Sequence, residues 1–163
     1  MMQIPEGIFY VYQLMLAGLY LFCLVRISLH CFSLSHSRWL KAIFIGLLIF
    51  AHAAVLDEIT YVMLGFTQEH LFTRGLKAQW LVGRFFQPSA FGVLLLLSLH
   101  LFLQKRYLLA TALLPLTATI HPTYLLMSGL LTIGYMISYF ISEKSTVGTL
   151  KIGFTALILV SPI

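Results

Sequence analysis

Six side chains of this 163-residue chain have types suited to chemistry and a spacing that could bring them to one face: Asp57, Glu58, Arg74, Lys77, Arg84 and His121. Asp57 and Glu58 are adjacent. On a helix, neighbours point about 100° apart, so the two carboxylates form no dyad by themselves. Each can still take a proton, hold a cation or pair with an arginine. The plainer reading makes them a polar stop at the end of an apolar run. Arg74, Lys77 and Arg84 lie in the stretch Gln68–Arg84, QEHLFTRGLKAQWLVGR. At helical spacing they share with His70 an arc of about 80°. Leucines 71, 76 and 81 with Phe72 and Val82 supply apolar surface around the rest, and Trp80 suits the headgroup level. Such an arc anchors a helix at a lipid surface, or it cradles a phosphate through paired guanidinium bonds. His121 precedes Pro122, which forces a break. Its imidazole either bonds local carbonyls at a helix end or exchanges protons with a bound substrate.

Other chemistries find little in the sequence. No H-x-x-x-H, C-x-x-C or E-x-x-H spacing occurs, so a metal site has no support beyond the two adjacent carboxylates. No phosphate-loop lysine motif, G-x-S-x-G or dinucleotide glycine pattern occurs, and no cofactor is expected.

Composition dictates what must position these residues. The chain is 60% hydrophobic and 9% charged, where soluble domains carry roughly 45–50% and about 25%. That excludes an ordinary soluble domain and intrinsic disorder. Two cysteines exclude a disulfide-stapled module. Cys23 and Cys31 on one continuous helix are ~12 Å apart, beyond the ~7 Å limit for a bridge, so both are expected as thiols. The net charge is +5, yet the basic residues sit in short groups between apolar stretches. That is a membrane-orienting pattern and argues against nucleic acid as a partner.

The expected fold is therefore all-α, a polytopic transmembrane bundle forming one membrane domain over residues 1–163. A bilayer core takes about 20 apolar residues as helix. Six segments approach that: Ile8–Val25, Ala42–Leu56 (with Trp39–Leu40 recruited), Phe85–Leu103, Tyr107–Ile120, Tyr124–Ile141 and Val147–Ile163. Gln68–Arg84 adds an amphipathic helix in the outer interface. With alternating segments, Arg26, Arg38, Lys41, Lys105, Arg106, Lys144 and Lys151 fall on one side, against Arg74, Lys77 and Arg84 on the other. The positive-inside rule puts the larger group in the cytoplasm. The N-terminus and the loop 57–84 then face outward, in a bacterial inner membrane or a eukaryotic endomembrane. The Met-Met-Gln-Ile-Pro-Glu start has no basic residue and does not read as a cleavable signal. The near-absent leading tail and the apolar ending at Ser161-Pro162-Ile163 suggest a portion of a longer protein, with further segments or partner subunits; the alternative is a natural six-helix protein.

Arg84-Phe-Phe-Gln-Pro-Ser-Ala-Phe opening a leucine-rich span, the inner hop Gln104-Lys-Arg-Tyr-Leu-Leu-Ala and the outer turn Ile120-His-Pro-Thr-Tyr together resemble the polytopic GT-C-type glycosyltransferases. The resemblance covers about Leu81–Leu131. It implies a polyprenyl- or dolichyl-phosphate sugar donor and transfer on the outer face. Asp57 or Glu58 would take the acidic role, with Arg74, Lys77, Arg84 and His121 around the lipid phosphate. The family keeps its acidic residue in a first outer loop after an inside-to-outside helix, whereas this chain begins with a helix running the other way. The alternative is a non-enzymatic membrane subunit, or a transporter portion handling lipid or sugar.

Overall fold

The computed structural model describes residues 6–32, 37–51, 61–65 and 91–160. Among these the regular structure is entirely helical. The chain divides into two compact units, Met1–Ala90 and Phe91–Ile163.

In the first unit, α1 runs over Glu6–Cys31 and α2 over Arg38–Ala51. The first helix overruns the apolar segment that ends at Val25. Arg26 does not end it, because a lone arginine with a long apolar stem can stand on a helix near its end and reach polar surroundings. Helix therefore continues through both cysteines. Both are free thiols, Cys23 buried and Cys31 exposed. Starting at Arg38, α2 recruits Trp39 and Leu40 as expected; its continuation to Leu56 lies outside the described residues.

The second unit contains α3 (Val93–Leu103), α4 (Tyr107–Ile120), a 3-10 turn at Pro122–Tyr124, α5 (Leu125–Glu143) and α6 (Thr146–Val160). The hub is α4, which packs against α3, α5 and α6. Its buried face is Ala110, Thr111, Leu114, Pro115, Thr117 and Ala118, a helical stripe with mostly small side chains that lets neighbouring backbones come close. Pro115 sits inside the helix without ending it.

Two helical stretches, Gly7–Cys31 and Pro122–Glu143, are long and apolar enough to cross a membrane. Only 6% and 11% of their most apolar windows are buried, whereas the core helix of a soluble protein is mostly covered. Leu14, Leu126, Met127, Leu130 and Ile133 are all exposed. Val93–Leu103, Tyr107–Ile120 and Thr146–Val160 are apolar but shorter.

The turns at the basic end of the second unit have defined stops. Lys105 adopts a left-handed φ of 63°. Its N–H bonds Phe102 O at 2.9 Å, and the Arg106 N–H bonds Leu101 O at 2.9 Å. That pair of bonds is a Schellman closure of α3, with lysine where glycine is usual. Lys144, with φ 50°, ends α5 and donates its N–H to Phe140 O at 2.9 Å.

Candidate functional site

Of the six residues singled out in the sequence, His121 is described. Asp57, Glu58, Arg74, Lys77 and Arg84 lie outside the described residues, as does the amphipathic stretch Gln68–Arg84.

His121 occupies the break between α4 and the 3-10 turn, with extended φ −144° and ψ 110°. Its backbone is tied on both sides. The N–H bonds Thr117 O at 3.1 Å, and the carbonyl accepts from the Tyr124 N–H at 3.0 Å. Pro122 brings no N–H and a preset φ, which suits it to open the short turn. The imidazole Nδ1 lies 2.6 Å from Thr123 Oγ1, and the ring lies 5.8 Å from that of Tyr124. The Thr123 hydroxyl, which can donate to or accept from Nδ1, fixes the ring's orientation and leaves Nε2 the other ring nitrogen. The side chain is half-buried. His121 is thus a held, partly accessible group able to donate or accept a proton.

Tyr124 links this turn to the start of α3. Gly92, in the turn before α3, is buried, and a Cβ there would fall on the Tyr124 hydroxyl and 2.6 Å from its Cζ. Only glycine admits the ring at that place. The start of α3 therefore lies at the same end of the unit as His121.

Sequence spacing did not reveal a buried polar seam between the helices. Ser98 Oγ donates to Ala110 O at 2.7 Å and lies 3.0 Å from the Tyr135 hydroxyl. A serine has one proton to give, so Tyr135 donates to Ser98. Ser128 Oγ donates to Leu114 O at 2.9 Å. Thr111, Thr117, Thr119 and Thr132 donate back to carbonyls four residues earlier on their own helices. Phe102 stacks on Tyr135 at 4.1 Å between ring centroids, above the seam. His100 is buried on α3, with Nε2 3.0 Å from the Gln104 side-chain nitrogen. Among the described residues no buried side-chain nitrogen or oxygen lacks a hydrogen-bond partner, and no three His, Cys, Asp or Glu side chains gather as metal ligands do. The seam fastens the helices of the unit together. Comparison with protein-family models, curated proteins and solved structures returns no match.

Proposed function

We propose that this chain is a six-span portion of an integral membrane protein that transfers sugar from a lipid phosphate-linked donor on the non-cytoplasmic face, in the manner of GT-C-type enzymes. The acceptor hydroxyl attacks the anomeric carbon as its bond to the lipid phosphate breaks. Asp57 or Glu58 takes the hydroxyl proton as general base. Arg74, Lys77, Arg84 and His121 stabilise the charge gathering on the departing phosphate. The observation supporting this reading is the His121 turn, where Thr123 holds the imidazole and Tyr124 on Gly92 brings the start of α3 alongside. Donor-dependent transfer by the full-length protein should fall about 100-fold in both H121A and R84A, the loss typical of removing one group that stabilises developing charge. Unchanged turnover in both variants would remove the assignment.

A second reading, a non-enzymatic membrane subunit or a transporter portion, draws support from the seam, whose buried polar groups are all paired. It predicts no transfer by the wild-type protein and loss of lipid or sugar passage when the seam is disrupted.

A further inference from the structure

The end of the second unit opposite His121 holds a cavity of about 500 Å³ between the starts of α4 and α6 and the side of α5. Lys105, Arg106 and Lys151 stand on its lining. Among the described residues the nearest carboxylate is Glu143, whose Oε1 lies 4.0 Å from Lys105 Nζ and accepts from the Tyr107 hydroxyl at 3.5 Å. One acid against three cations leaves the cavity positive. Its floor is shaped by a close approach. Tyr139 lies against Gly148, where a Cβ would come within 2.7 Å of the ring's Cζ. Gly148 and Lys151 are three residues apart on α6 and therefore share a face.

The remaining lining is apolar. Leu108 and Leu109 are more than half exposed at 53% and 57%, and both line the same cavity. Cations at one end and bare leucines along the adjoining wall suit an amphipathic anion better than a free one. The volume falls within the ~300–1,000 Å³ usual for small-molecule sites, and basic pockets between apolar helices are known places for anionic headgroups. We propose that this cavity binds the phosphate headgroup of an anionic phospholipid, with the Arg106 fork and the Lys105 and Lys151 ammonium groups on the phosphate oxygens and an acyl chain along Leu108 and Leu109. A zwitterionic headgroup would bring its own cation against these three and bind more weakly.

The site is at the far end of α4 from His121 and does not depend on sugar transfer. The test is native mass spectrometry of the full chain released from a nonionic detergent, titrated with dioleoylphosphatidylglycerol or dioleoylphosphatidylcholine. Phosphatidylglycerol should bind at least tenfold more tightly. Each of K105Q, R106Q and K151Q should weaken it roughly fivefold, and the triple variant on the order of 100-fold. K151R should restore binding, which separates lost charge from lost folding. Lys144 is at the same end but off the cavity lining, so K144Q should leave the affinity within twofold. Equal loss in K144Q and K151Q would mean a diffuse surface field and overturn the proposal. Full displacement of the lipid by an equal concentration of inorganic phosphate would overturn it too, by making the ligand a small anion.

Discussion

Ser98 accepts one hydrogen bond and donates another, and that double duty sets the cost of losing it. In S98A the Ala110 carbonyl and the Tyr135 hydroxyl both lose a partner inside the unit. An unpaired buried group costs about 1–3 kcal/mol. In Y135F the serine keeps its bond to Ala110, and only the hydroxyl is gone. S98A should therefore destabilise by about 2 kcal/mol and Y135F by less than 1 kcal/mol, measured by unfolding of the purified protein in mixed detergent micelles. Equal losses would place the weight of the seam on the tyrosine instead. His121 was legible before the fold because a histidine followed by proline announces a helix end. Ser98 and Tyr135 were not, because 37 positions separate them and no spacing rule links a hydroxyl on one helix to one two helices later. The Tyr139 approach to Gly148 was hidden for the same reason.

Helix boundaries were legible where charge or proline stood at both ends. The limits of α4, Tyr107–Ile120, are those its apolar run gives, because Arg106 precedes it and His121-Pro122 follows. By contrast α1 extends past Val25 to Cys31, since apolar length measures what suits lipid while helix propagates wherever its backbone bonds continue. The left-handed turns at Lys105 and Lys144 were not foreseen, as lysine carries no turn signal. A side chain in the left-handed region is strained by roughly 1–2 kcal/mol, partly offset in a glycine variant by its freer unfolded chain. Lys144→Gly should thus stabilise the protein by about 0.5 kcal/mol in the same unfolding assay, with no loss at the anionic cavity; a destabilised variant would mean that the lysine side chain secures the turn. At the other end, G92A should displace Tyr124 and disturb the His121 turn, read as a shifted His121 imidazole resonance in isotope-labelled protein. An unmoved resonance would show that the ring yields without passing its displacement on.

At the scale of the whole molecule, the length of α4 constrains the proposed six-span arrangement. Its 14 residues reach ~21 Å against a hydrocarbon core of ~30 Å. On the six-span reading proposed above, either the bilayer thins beside it, or the His121 turn lies below the surface in a protein-lined recess. Cysteine labelling on a background lacking Cys23 and Cys31 decides between these. A cysteine at Thr123 should react slowly with an impermeant outer reagent and one at Gln104 not at all; fast reaction at Thr123 would favour thinning, and outer labelling of Gln104 would reverse the orientation. The seam adds a temporal consequence. The threonines satisfy their hydroxyls on their own helices, so those hydroxyls can enter an apolar phase already bonded. Ser98 and Ser128 cannot do so in the final arrangement, since both spend their protons on carbonyls of α4. One helix, α4, receives both of these serine-to-carbonyl bonds. Assembly of the unit is thus gated on the arrival of α4, and a delay in that one helix would leave two hydroxyls exposed to whatever donor or acceptor reached them first.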